Sequence, residues 1–220
     1  MPRRARIVIP GLPHHITQRG NNRERVFREP EDYATYCRLA NRFSEKYGMA
    51  VVAYCLMPNH VHFVAVPSLD CTLARTLNTL HMKYSQYFNS RMRRSGHLWQ
   101  GRFYSCPLDD EHLFRAMRYV ERNPVRANLA KRPWDYAWSS ARARTGSGSS
   151  PIHLHNTPII GSRPQWKDYL QQSDDLLDSN IRRSTHKGVP VGTDLFIRTL
   201  EERLSIQITR RGPGRPRKQK

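Results

Sequence analysis

Apolar and polar positions change period several times along the chain, and each change marks an element. His14 to Gln18 reads as a short strand that runs into the turn-like Arg19-Gly20-Asn21-Asn22. From Glu29 to Tyr47, the residues Tyr33, Tyr36, Cys37, Leu39, Ala40 and Phe43 recur at helical spacing, and Gly48 stands where a helix-terminating glycine belongs. Two β-branched apolar runs, Ala50 to Leu56 and His60 to Val66, flank Met57-Pro58-Asn59 and predict an antiparallel hairpin with both strands largely buried. Leu73, Leu77, Leu80, Tyr84, Tyr87 and Phe88 predict a long helix from Thr72 to Arg94, ended by Gly96, and a fourth strand is expected from Trp99 to Ser105. Asp109-Asp110-Glu111 then puts acidic residues at the positive end of a helix running to about Asn123.

Strand, helix, strand, strand, helix, strand is the order of a ferredoxin-like, split βαβ α+β core, one antiparallel sheet with helices on one face. Past it the composition shifts. Gly146-Ser147-Gly148-Ser149-Ser150-Pro151 resembles a linker, Trp166 to Arg182 is a weaker helical stretch, and Thr193 to Leu204 regains helical spacing through Leu195, Phe196, Leu200 and Leu204. The organisation expected is a core domain over 1–145, a linker and weakly helical segment over 146–187, a C-terminal helical extension over 188–208 and a basic tail over 209–220, without internal repeats.

Charge adds the partner. Lys and Arg number 37 against 18 Asp and Glu, a net +19, far beyond what solubility needs and pointing to a polyanion, with nucleic acid the leading candidate. Six of these charges lie in Arg210 to Lys220, so thirteen remain elsewhere. Gly214-Arg215-Pro216-Arg217-Lys218 resembles the core of an AT-hook, whose extended Arg-Pro-Arg fits a narrow minor groove, so Arg215, Arg217 and Lys218 are candidate DNA contacts. Between Thr72 and Leu108 there is no acidic residue, while Arg75, Lys83, Arg91, Arg93, Arg94 and Arg102 are basic and are interleaved with Tyr84, Tyr87, Trp99, Phe103 and Tyr104, the pattern of a surface that tracks phosphates and stacks bases. Tyr84 and Phe88 read better as core. Lys83, Arg94 and Arg102, with Arg19 in the first turn, are the candidate contacts there.

A membrane partner is not expected, since the longest apolar run, Met49 to Met57, falls short of the ~20 residues of a spanning helix. The basic N-terminus is followed only by Ile7-Val8-Ile9 before Pro10, so a secretory leader is not expected and a cytoplasmic, nucleoid-associated protein is. Cys37, Cys55, Cys71 and Cys106 form no C-x-x-C pair and read as small buried hydrophobes.

Two segments carry chemistry. In Pro58-Asn59-His60-Val61-His62, residues two apart in a strand project from one face, so the two imidazoles can converge on a metal while Val61 and Phe63 pack on the other. In the helix ending at Asn123, Leu113, Ala116, Met117, Val120 and Pro124 form the core-facing stripe, and Arg115, Tyr119, Arg122, Asn123 and Arg126 fall opposite, a setting for a phosphate. Asn123, four residues past Tyr119, either points its amide oxygen at the same site or, because of Pro124, caps the helix.

Together with Tyr119-Val120-Glu121-Arg122-Asn123-Pro124-Val125-Arg126, Trp138-Ser139-Ser140 and Gly96-His97-Leu98-Trp99-Gln100-Gly101-Arg102-Phe103, the two-histidine segment resembles the REP-associated tyrosine transposases of the HUH single-tyrosine superfamily. The resemblance implies a magnesium or manganese ion on His60 and His62, with Asn123 as third ligand. It also implies Tyr119 as nucleophile, forming a 5′-phosphotyrosine, REP-type hairpin or single-stranded DNA as substrate, and a monomer, although the sequence itself leaves a dimer open; no small-molecule substrate is expected. Arg115 and Arg122 are expected to lower the cost of ionising the phenol. Rival readings are a non-catalytic binder of structured DNA or RNA, and a metal-dependent nuclease that uses water.

Overall fold

Alternation along β1 (His14–Arg19), β2 (Met49–Met57), β3 (His60–Pro67) and β4 (Tyr104–Pro107) gives one sheet two buried faces. The computed structural model describes residues 6–156 and 161–208. The strand order is β2-β3-β1-β4 with every neighbouring pair antiparallel, and the crossovers are α1 (Pro30–Tyr47) and α2 (Thr72–Arg91), so the core is the ferredoxin-like one expected. Ile16, Tyr54, Val61 and Phe63 pack beneath α1 and α2 in one core cluster with Tyr36, Leu77 and Tyr84. A capping box between Glu29 and Asp32 starts α1, and Gly48, with φ 73°, ends it in the left-handed conformation that glycine adopts without strain.

The opposite face carries a second cluster. Cys55, Val64 and Cys106 meet Ala116, Met117 and Val120 of α3 (Asp110–Glu121) together with segments from beyond the core. After the short α4 (Asn123–Arg126) and α5 (Ala141–Arg144), the chain forms α6 (Arg163–Gln171), α7 (Asp175–Lys187) and α8 (Asp194–Leu204). The single weak helix expected over 166–182 is thus two. Asp174 divides them, because its side chain accepts from Leu177 N and caps α7. Trp166, Leu170 and Ile181 are fully buried in the second cluster, so this part of the segment expected as linker and weak helix lies against the sheet. α8 packs Leu200 against Ile9 and Ile208 in a small third cluster.

Two other boundaries move for local reasons. The fourth strand begins at Tyr104 instead of Trp99, which makes only an isolated bridge to Gly20; Gly101 (φ 105°) turns the chain between them. Helix α3 stops at Glu121 because Pro124 has no N–H to offer. Trp138-Ser139-Ser140 is structural: Leu56 N donates to Trp138 O and Ser140 N to Tyr54 O, which covers the outer edge of β2. Behind it Ser140 Oγ donates to Glu121 Oε1 at 2.6 Å and Trp166 Nε1 to Glu121 Oε2 at 3.0 Å. Among the described residues no helix is long and apolar enough to cross a membrane.

Candidate active site

Strand register decides which side chains meet. Thr17 pairs with His62 and Arg19 with His60 across β1 and β3, and Thr17 pairs with Tyr104 across β1 and β4. Paired residues share a face, so His15, Thr17, Arg19, His60, His62 and Tyr104 all project to the α3 side. There they line a cleft of about 330 Å³ with Tyr119 of α3, Asn123 and Arg126 of α4, and Arg182, Thr185 and His186 of α7; Arg23 and Gln100 close its rim.

The histidine pair is held from behind. Asn59 Nδ2 donates to Arg23 O at 3.1 Å, so its Oδ1 faces His60 Nδ1 at 2.6 Å. An amide oxygen only accepts; His60 therefore carries its proton on Nδ1 and keeps a lone pair on Nε2. His62 Nδ1 lies 3.0 Å from His15 Nε2. Burial, reinforced by Arg19 and Arg182, pushes His60 down to about 3, and burial with the neighbouring His60 and His15 pushes His62 well below its usual value. Both imidazoles are neutral at pH 7, the form that binds metal.

Tyr119 is only 3 % exposed, its ring edge-on to His15 (centroids 5.4 Å apart) and to His62 (5.6 Å). Burial raises the phenol above its ordinary value, opposed by Arg126 and Arg182. The Arg126 guanidinium sits 5.0 Å from the ring centroid and 3.5 Å from Asp178. Of the three arginines expected around the phenol, only Arg126 is there. Arg115, still 37 % exposed, pairs with Glu111 one helical turn back, and Arg122 donates to Leu170 O of α6. The charge expected from Arg115 and Arg122 comes from Arg126 and Arg182.

Asn123 takes the capping role expected of it. Its Nδ2 donates to Tyr119 O at 2.9 Å and Val120 O at 3.3 Å, capping the helix end that Pro124 leaves short of a donor. Asn123 is also among the residues that line the cleft. No three His, Cys, Asp or Glu side chains among the described residues converge as a metal set. Two imidazole nitrogens, donors that suit zinc, iron or nickel, and one amide, whose oxygen suits magnesium or manganese, are present in the cleft lining.

Other candidates lie apart. Arg19 is on the cleft wall, whereas Lys83 is exposed on α2, Arg94 pairs with Glu24 at 2.9 Å, and Arg102 lies at a separate groove beside Trp99. Trp99 and Phe103 are buried with Tyr84, so the expected stacking surface reduces to Tyr104, 39 % exposed at the cleft, and half-buried Tyr87. Arg215, Arg217 and Lys218 lie outside the described residues. Sequence reasoning missed His15, Arg23, Arg182, Thr185 and His186. For His15 the signal was its two-residue spacing from Thr17 and Arg19; for the α7 residues there was none, since only packing brings that helix to the sheet.

The model of the IS200-like transposase family matches residues 9–123, which span β1 through α3 with both histidines, Tyr119 and Asn123. Curated proteins offer no match. Among solved structures, a REP-associated tyrosine transposase bound to a REP hairpin aligns with TM-score 0.54 at 16 % identity, over 74 % of this chain and 96 % of its own. A Deinococcus radiodurans R1 protein aligns with TM-score 0.39 at 16 % identity, over 55 % of this chain and 97 % of its own. With the match covering more than half of its length and the whole of the sheet, the chain belongs to the IS200-like transposase family.

Proposed function

We propose that this transposase cleaves and rejoins single-stranded DNA beside REP-type hairpins, with Tyr119 as nucleophile and a divalent ion, Mg²⁺ or Mn²⁺, on His60, His62 and Asn123. The observation that carries the proposal is the meeting of a buried phenol, two neutral imidazoles and four guanidinium groups (Arg19, Arg23, Arg126 and Arg182) in one cleft. The metal, when bound, supplies positive charge to polarise a scissile phosphate. Arg126 and Arg182 draw the phenol toward ionisation against its burial and neutralise the flanking phosphates. The Tyr119 oxygen forms a bond to phosphorus, the bond to the 3′-oxygen breaks, and that oxygen leaves as a hydroxyl after taking up a proton. One phosphodiester replaces another, so no nucleotide triphosphate is consumed, and a different 3′-hydroxyl reverses the step. Hairpin DNA is the substrate to try because the structural relative binds a REP hairpin.

The test is to incubate the protein with labelled hairpin DNA carrying single-stranded flanks, with Mg²⁺ or with EDTA, and to look for label on the denatured protein. Adduct that needs both metal and Tyr119, and is absent from Tyr119→Phe, is expected. Metal-dependent cutting without adduct would point to a nuclease that uses water, and binding without cutting to a non-catalytic module.

A further inference from the structure

Behind the histidine pair runs a buried hydrogen-bonded file that the family segment alone does not contain. Thr185 of α7 is fully buried; its Oγ1 donates to Ile181 O at 2.7 Å and lies 2.6 Å from His15 Nδ1. His15 is 1 % exposed, and its Nε2 faces His62 Nδ1 at 3.0 Å. The two ring planes differ by 14° and the centroids are 5.2 Å apart although the facing nitrogens are at 3.0 Å, so the rings lie edge to edge, as an in-plane N–H to N hydrogen bond requires.

The single Thr185 hydroxyl proton can go to His15 Nδ1, to Ile181 O or to Cys106 Sγ, 3.1 Å away, and because each neutral imidazole has one N–H and one lone pair these choices leave two arrangements of the histidine protons. If the single Thr185 hydroxyl proton goes to His15 Nδ1, His15 donates from Nε2 to His62 Nδ1. His62 then carries its proton on Nε2, toward the cleft, and offers no lone pair there. If the hydroxyl proton goes instead to Ile181 O, the usual partner of a helical threonine, or to Cys106 Sγ, the Thr185 oxygen must accept from His15 Nδ1. His15 Nε2 then accepts from His62 Nδ1–H, and His62 Nε2 is a bare lone pair. The 2.7 Å bond to Ile181 O selects the second arrangement.

We infer that Thr185 and His15 are positioning residues that fix the Nδ1–H tautomer of His62 and hold its Nε2 lone pair toward the cleft, so that α7, outside the matched family segment, completes the ligand pair. Asn59 Oδ1 does the same for His60, from the other side. The purpose of the file rests on the metal reading proposed above, but the file itself is a property of the metal-free protein and can be tested without metal.

The experiment is long-range ¹⁵N–¹H correlation NMR of imidazole nitrogens in the metal-free full chain at pH 7.5, with Thr185→Val, which keeps the side-chain shape, and Thr185→Ser, which restores the hydroxyl. Dispersed amide spectra verify that each variant is folded. Wild type and Thr185→Ser should show His62 protonated on Nδ1, and Thr185→Val should shift it toward Nε2–H. Mn²⁺ uptake, read by electron paramagnetic resonance, should weaken about 10–100-fold in Thr185→Val, the usual cost of losing a support behind a ligand. A wild-type His62 protonated on Nε2, or a tautomer unchanged in folded Thr185→Val, would overturn the inference. Should Thr185→Val prove unfolded, His15→Phe, which removes the acceptor facing His62 Nδ1, is read the same way. A wild type with the expected tautomer that takes up no Mn²⁺ would support the file and sink the metal reading.

Discussion

Glutamate 121 offers the most quantitative test of how the catalytic helix is anchored. Its carboxylate is 0 % exposed, accepts from Ser140 and Trp166, and lies 3.5 Å from Arg144 Nε, itself buried. Burial pushes the carboxyl up while Arg144 and the two donors pull it down. Removing one member of a buried ion pair costs about 3–5 kcal/mol, since the other charge is left desolvated. Glu121→Gln keeps the volume and one acceptor oxygen, and Ser140 can reverse its hydroxyl to accept from the new amide, so the loss should fall at the low end, about 3 kcal/mol. Arg144→Met should cost a similar amount, and the double variant about 1–3 kcal/mol less than the sum. Urea unfolding at pH 7.5 of the four proteins gives the coupling directly. A cost below about 1 kcal/mol for Glu121→Gln would mean that the native carboxyl is already protonated, and the ion-pair account would fall.

Acid should destabilise the fold through groups remote from the chemistry. Burial lowers His14 to about 4 and His81 to about 3, from 6.5, so below pH 6.5 the unfolded chain binds protons that the folded chain refuses and stability falls with pH. The pair should contribute about 4 kcal/mol of the loss between pH 7 and pH 5, in addition to that from the buried His15 and His60, so the urea midpoint of a His14→Gln/His81→Gln variant should fall less steeply than that of wild type, and an equal fall in both would refute it. Arg182→Ala should weaken binding of single-stranded DNA and reduce the slope of log K against log salt by about 0.7, which fluorescence anisotropy at several salt concentrations measures; an unchanged slope would take Arg182 off the phosphates. His60→Ala should abolish cleavage and leave hairpin binding within a few-fold, and an equal loss of both would make the pair structural. Removing Arg210 to Lys220 should weaken binding and flatten its salt dependence, and an unaltered slope would exclude the tail from the interface.

Much of this architecture was legible because short-range rules dominate it. Period-two alternation placed His60 and His62 on one face, and the glutamate and glycine flanking α1 marked its ends within a residue. What sequence could not supply was long-range registry. Whether His14 or His15 faces the cleft depends on the pairing of β1 with β3, and a slip of one residue would exchange them. Helical spacing put Tyr119, Arg115 and Arg122 on one polar face, correctly as angles. Tertiary packing then divided that face: Arg115 pairs with Glu111, Arg122 bonds to α6, and of the three only the phenol lines the cleft. The aromatics of 72–108 illustrate the same gap, since a tryptophan beside arginines looks the same in sequence whether it stacks on a base or, like Trp99, is buried against His81.

Both edge strands of the sheet are hydrogen-bonded by chain that follows the last residue of the matched family segment, Asn123. On one side Trp138, Ser140 and His155 bond to β2; on the other Val191 exchanges hydrogen bonds with Pro107 and Asp109. A fragment cut at 123 would therefore end with two raw, unpaired strand margins, each a template for a stranger's backbone. It would self-associate before it could be assayed, so the smallest piece worth expressing extends at least through Val191.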